Sequence, residues 1–449
     1  MYLAITNGTT TIVLSGTAPV RGCTYYPQAA ARDADGNYRN VTEDATVNLR
    51  DTQTAMRSSI NWIETLLQQA EERRATGVGA RIFALYKPVD GDSAAYRSEV
   101  YGGRVLLSNQ PMLRRFGDTA PTIQIGIVWE RAHWWEGDLT ELQLSANGQA
   151  AATGGRTIYN NPANGNWVQI AANQTVGVLP SPLKLEVYNS AGASKNFRKL
   201  FVGVNSYSDA ANFTHYLQAE ARISGGTLAA DATCSGSGNN RLDFTVTASP
   251  TVFTWSLPWQ DLQRVKGRRV RLLARFADGV GDLYVTPAIR TGGGVTIWTG
   301  DELALGSLVQ ESWQDLGIVP LPPGGYAGNY DTHLLALSFR GSALVQLDVL
   351  QLTALDSYRY FELAGTGVAV TNGAAIVHDG TEGLTYIASS GWTALATSYG
   401  APVLVRPGAV QRLYILWQIN AAGTGGAGDA PIGNTASVRA YYRPRRLTV

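Results

Sequence analysis

Only one stretch of this chain carries the period of a long helix. In DTQTAMRSSINWIETLLQQAEERRATGVG, Met56, Ile60, Ile63, Leu67 and Ala70 recur at spacings of four and three. That is the apolar stripe of an amphipathic helix buried by one face. Asp51 or Thr52 stands where the first turn needs a cap, and Gly77 where the helix can stop. With one such pattern in 449 residues, the rest of the chain has to be built from strands. Alternating βαβ units are excluded, because each parallel crossover would need its own helix. The expectation is a mainly β protein: a β-sandwich or barrel flanked by one helix, plus jelly-roll-like β-sandwich modules.

The strands on either side bear this out in pattern. In VTEDATVNL, Val41, Ala45, Val47 and Leu49 alternate with Thr42, Asp44, Thr46 and Asn48, as a half-buried strand requires. TTTIVL precedes it, and RIFALYKP, YRSEVYGGRVLLS and PTIQIGIVWERAHWW follow the helix. From about 139 to 355 the chain runs through PLKLEVYN, RKLFVGVNSY, RLDFTVTA, RRVRLLARFAD and HLLALSFRG, split by turns such as LPPGGYAGN. This pattern suits one large sandwich or two small ones. An echo between NWVQIA and SWQDLGIV favours two. Near the end, QRLYILWQIN reads as a strand buried on both faces. With AAGTGGAGDAPIGN and ASVRAYYRPRRLTV it forms a candidate hairpin that must pack on something else. The length itself favours about three domains, placed at 1–138, 139–355 and 356–449.

Composition narrows the function. Hydrophobic residues make up 45% and charged residues 16%, against about 25% in ordinary soluble domains, and there are 49 glycines. The net charge of +1, with RPRR the one basic cluster, offers no field for a nucleic acid. Cys23 and Cys234 are too far apart in sequence to suggest a framework or a zinc cluster. MYLAITNGTTTIVLSG lacks the charged and apolar regions of a secretory leader, and no run of about 18 apolar residues is present to span a membrane. The Asn-x-Thr triplets at Asn7, Asn40, Asn173 and Asn212 are therefore expected to be chance matches.

Candidate chemistry is thin. DADGN, from Asp33 to Asn37, begins like a calcium loop but lacks the later oxygen ligands and closing acid, so a hairpin turn is the expectation. FADGVGD, from Phe276 to Asp282, is read the same way. His133, His215, His333 and His378 each stand alone, without metal-ligand spacing. His333 alternates with Leu335, Leu337 and Phe339 and fits a sandwich strand, while His378 falls in the turn-rich IVHDGTEG and fits a surface loop. TGGGVT, Thr291 to Thr296, has neither the Lys nor the helix of a phosphate loop, and no GxSxG elbow occurs. No catalytic residue, metal or cofactor is assigned, and no enzyme is expected. Trp167, Trp255, Trp259, Trp298 and Trp313 are either glycan-stacking residues or core. In RAHWWEGD, adjacent Trp134 and Trp135 point to opposite faces of a strand and cannot form one platform. With Gly137 as the turn, the stretch is expected to be a domain joint rather than a metal site built on His133, Glu136 and Asp138.

Taken in order, these features resemble the N-terminal domain of distal tail and tail-tube-type structural proteins of long-tailed bacteriophages. The likeness is carried by NGTTTIVL, VTEDATVNLR leading into INWIETLLQQAEERR, RIFALYKP, YRSEVYGGRVLL taken as a hairpin, and a strand ending in WWEGD. PGAVQRLYILWQIN and SVRAYYRPRRLTV resemble the closing segment of such proteins. The resemblance implies a virion protein assembled in the host cytoplasm. It implies a homo-oligomeric ring, hexameric for a single copy of the domain or trimeric for two, whose partners are copies of itself and other tail proteins. The middle sandwich would project, with host-surface glycans as a further partner. Tyr441, Tyr442, Arg443, Arg445 and Arg446 are the C-terminal interface candidates. The alternative is a carbohydrate-binding, host-adhesion protein of the tail tip.

Overall fold

The computed structural model describes residues 1–16, 20–88, 95–107, 122–160, 165–190, 192, 194–205, 214–231, 234–235, 239–258, 262, 269–280, 282–305, 312–322, 332–354, 357–362, 368–388, 398–420 and 435–449. They form antiparallel sheets and one long helix. The chain divides into two units. Unit 1 is Met1–Thr140, Val176–Leu179 and Arg443–Val449; unit 2 is Glu141–Thr175 and Pro180–Tyr442.

Unit 1 contains β1 (Tyr2–Thr6), β2 (Thr11–Val13), β3 (Val20–Tyr25), β4 (Val41–Arg50), α1 (Gln53–Thr76), β5 (Ile82–Lys87), β6 (Tyr96–Leu107), β7 (Thr122–Arg131) and β8 (Trp135–Glu136). The sheet order is β2-β1-β5-β6-β7-β4-β3. The Tyr25 and Tyr86 rings, on β3 and β5, lie 5.3 Å apart. Four strand spacings in a flat sheet would separate these strands by roughly 19 Å, so the sheet curls until β3 and β5 face one another across the core.

Helix α1 closes that core. Thr52 Oγ1 accepts from the Ala55 amide, and Gly77 ends the helix in the left-handed region at φ 73°. Met56, Ile63, Leu66, Leu67 and Ala70 are buried, with Ile60 at the margin. Strand β4 alternates as its pattern predicts, with one addition: Glu43 occupies an inward position between Val41 and Ala45. YRSEVYGGRVLL is one continuous strand, β6, and not a hairpin. Its Gly-Gly is a bulge, where the register with β7 shifts between Val100 and Gly102. A Cβ on Gly103 would lie 2.3 Å from the Val128 carbonyl oxygen, so only glycine lets the two strands approach so closely.

Unit 2 holds two sandwiches, one nested in the other. In the first, an eight-stranded sheet includes Trp167–Ile170, Gln411–Asn420, Lys195–Asn205 and Ser357–Glu362 in adjacent order. It faces a seven-stranded sheet that includes Thr435–Tyr442, Ser181–Asn189 and Ala375–Asp379. The second sandwich runs from Thr214–Gln218 to Ala343–Ala354 and has its own core, centred on Phe244, Trp255, Phe276 and Phe339. It is inserted between Lys195–Asn205 and Ser357–Glu362, which pair side by side with Val204 opposite Ser357.

The chain therefore does not break near 355. The described strands from Ser357–Glu362 to Thr435–Tyr442 complete the sandwich begun at 141, because strands far apart in sequence pair in its sheets. Gln411–Asn420 and Thr435–Tyr442 lie in different sheets and are not a hairpin. Gln411–Asn420 is buried on both faces: Leu413, Ile415 and Trp417 face the first core, while Leu416 meets Phe201, Leu273, Trp313 and Val349 where the two sandwiches touch. Tyr358 and Asn166 fix that contact, the first donating to Asp315 at 2.8 Å and the second to Gln351 at 3.1 Å. Among the described residues no helix is long and apolar enough to cross a membrane.

Candidate interface site

Residues 131–138 lie where unit 1 hands the chain to its insertion. The Arg131 guanidinium is fully buried. It donates to Glu43 at 2.7 Å and to the carbonyls of Ala132 and Gln28. Glu43 also accepts from the Tyr25 hydroxyl and the Gln28 amide, so the inward carboxylate is satisfied on every side. Burial, followed by the Glu43 charge, pushes the Tyr25 hydroxyl far above its ordinary range. Trp135 is wholly buried, its ring under Arg131 at 4.5 Å and 5.9 Å from Tyr86. Trp134 points the other way and is half-buried. Arg445 stacks over its ring at 4.1 Å, and His133 meets it edge-on at 4.3 Å. His133 in turn stacks on Tyr38, and burial, with Arg445 and Arg131 nearby, lowers its pKa.

Glu136 accepts from Arg97 at 3.0 Å and Arg445 at 2.8 Å. Burial alone would raise its pKa, but the two guanidiniums outweigh that and hold it below the usual carboxylate range. The C-terminal segment is thus stitched into unit 1. Arg445–Arg446 pairs β8 as a strand, the Gly137 amide donates to the Pro444 carbonyl, and Arg443 donates back to Gly137. Arg446 donates to the Tyr96 hydroxyl. Val176–Leu179 lies along the other side of Arg445, with Gly177 at φ 116° and a would-be Cβ only 2.7 Å from the Arg445 oxygen.

The remaining sequence candidates are scattered. Trp255 and Trp313 are core residues with no exposed surface; Trp298 is half-buried against the second core. Trp167 is half-buried, with the Arg412 guanidinium 4.0 Å over its ring. Trp259 and the side chain of His215 lie outside the described residues. Tyr442 is internal to the first sandwich, while Tyr441 donates to Glu186 at 3.2 Å. His333 is buried on its strand. His378 is not on a surface loop. It is buried in strand Ala375–Asp379, 3.2 Å from the Thr385 hydroxyl and packed on Phe361; the turn follows at Asp379. DADGN is a turn, with Asp33 Oδ1 accepting from the Asp35 and Asn37 amides. TGGGVT closes the hairpin between Leu283–Thr291 and Thr296–Thr299. FADGVGD runs off the end of Arg269–Val280 and lies only partly within the described residues. Cys23 and Cys234 are not joined in a disulfide. Among the described residues no group of three or more His, Cys, Asp or Glu is gathered to hold a metal.

Three surface features of unit 1 are available for contact. The end strands β2 and β3 pair along one side each among the described residues. A groove of about 610 Å³ opens beside the C-terminal end of α1, lined by Ala75, Tyr101 and Val128 together with Glu71, Arg104 and the Arg74–Glu130 ion pair. Trp62, on the solvent face of α1, is 53% exposed. The last two are absent from the sequence-level candidates. Trp62 was legible as an indole lying off the helix stripe; the groove was not, because it joins three elements.

No protein-family model matches the chain, and no curated protein matches it. Among solved structures, the chain is similar to the SPP1 Dit protein, described as a paradigm of hub adsorption apparatus in Gram-positive-infecting phages. Identity is 8%, coverage is 99% of this chain and 98% of that one, and the TM-score is 0.26. It is also similar to a family 43 arabinoxylan arabinofuranohydrolase from Bacillus subtilis, at 12% identity, 72% and 66% coverage, and a TM-score of 0.22. A third is the VP2 subviral particle of infectious bursal disease virus, at 7% identity, 69% and 80% coverage, and a TM-score of 0.19. Scores of this size carry no functional weight, so function has to be argued from the chain's own residues.

Proposed function

We propose that the chain is a structural component of a bacteriophage tail, a distal tail or tail-tube-type protein that assembles into a ring through unit 1. The observation that supports this most directly is the build of unit 1: a curled antiparallel sheet closed by one helix, whose end strands β2 and β3 pair along one side each among the described residues and so offer an edge for strand addition. The order of its elements is also the order on which the sequence resemblance rests. The role is structural rather than catalytic, since the charged groups of the 131–138 region neutralise one another in place. The middle tryptophans form no common platform for a glycan among the described residues, because Trp255 and Trp313 are core, Trp298 packs against the second core and the Trp167 ring carries Arg412. Negative-stain electron microscopy of the purified protein tests the proposal. Closed rings or stacked rings are expected; a strictly monomeric species at high concentration would overturn it.

A further inference from the structure

The solvent face of an ordinary surface helix is charged. On α1, that face is split. Its C-terminal half carries Glu71, Glu72 and Arg74, but around the exposed Trp62 the neighbours are Ser58, Asn61 and Thr65, all uncharged. The nearest charges are Arg57 on one side and Glu64 on the other, both exposed, and neither forms an ion pair among the described residues. A large indole in an uncharged surround with charges at the rim is the composition of an interface core, where such residues act as anchors.

The groove at the far end of the same helix is its complement. Ala75, Tyr101 and Val128 give it an apolar lining beside the Arg74 guanidinium, which stands 5.7 Å over the Tyr101 ring, and its volume of about 610 Å³ is ample for an indole. Its flanking Glu71 and Arg104 form no ion pair among the described residues, and they answer Arg57 and Glu64 in sign. Knob and groove cannot meet within one molecule: Trp62 and Ala75 are 13 residues apart on a straight helix, about 20 Å. We infer that Trp62 of one copy seats in the α1 groove of the next. A contact joining two different patches is head-to-tail, and it closes into a ring if its rotation allows. This inference rests on the ring proposal and names the surface that joins neighbouring copies.

The test is an oxidative cross-link. Asn61→Cys and Ala75→Cys are placed in one chain, about 21 Å apart along the helix, far beyond the ~7 Å Cα limit for a disulfide. A ladder of covalent multimers ending at the ring size is expected, with neither single variant giving one. Dimers from Asn61→Cys alone would show a two-fold Trp62 contact and overturn the inference. In parallel, Trp62→Ala should weaken assembly about ten-fold or more. Glu64→Arg and Arg104→Glu should each weaken it, and the double exchange should restore it. Rings that form normally in all of these variants would overturn this surface while leaving the ring proposal standing. A monomeric parent protein would remove both.

Discussion

At the level of single residues, the most consequential side chain is Glu43, an acid at an inward strand position. Its pairing with Arg131, both fully buried, means that removing either partner strands the other's charge. Glu43→Ala should therefore cost about 3–5 kcal/mol, read as earlier urea unfolding of unit 1 with faster hydrogen exchange in β4 and β7. The alternation VTEDATVNL put Glu43 on the apolar face from the start. What the strand alone could not show was its partner, 88 residues away on β7. His378 misled for a related reason: the turn residues after it dominate the local pattern, while its burial comes from Phe361 and Thr385. Burial, reinforced by the nearby Arg359 charge, lowers its pKa from 6.5 to about 4. Between those values the unfolded chain binds the proton and the folded one does not, so stability falls as pH drops from about 6.5 towards 4, by up to ~3 kcal/mol. A His378→Asn variant should lose that portion of the pH dependence in pH-resolved denaturation.

At the level of elements, α1 and β4 were legible because each carries its own period, set by burial of one face. The β6 bulge was not, since YGGR looks like a turn until β7 is seen to run alongside it through Gly103. The strap Val176–Leu179 left no local signal at all. It is four residues of unit 1 embedded in the sequence of unit 2, held by backbone contact to Arg445. Gly177→Ala places a Cβ against the Arg445 carbonyl in a backbone region that L-residues avoid. A loss of the order of 1–3 kcal/mol is expected, seen as faster hydrogen exchange at Val178 and along Arg445–Arg446.

For the whole molecule, three domains in a row were expected, and the chain is nested instead. QRLYILWQIN was correctly read as buried on both faces, but which layers bury it could not be inferred, because its strand partners, Trp167–Ile170 and Lys195–Asn205, and contacts such as Leu273 and Trp313 lie far away in the sequence. Pairing across such separations depends on the fold, not on any neighbouring residue. The same nesting makes the last seven residues, Arg443–Val449, part of the first unit. Deleting them should expose β8 and the carboxylate of Glu136, lowering the melting temperature of unit 1 by several degrees while the unfolding transitions of the sandwiches stay in place in calorimetry.

The pairing of Arg445–Arg446 with β8 also has a mechanical meaning. Tension applied between β1 and Arg445–Arg446 is carried within unit 1 until that short ribbon shears and the Glu136 clamp lets go. A chain built this way can be pulled through unit 1 without the load first passing through the modules inserted in it.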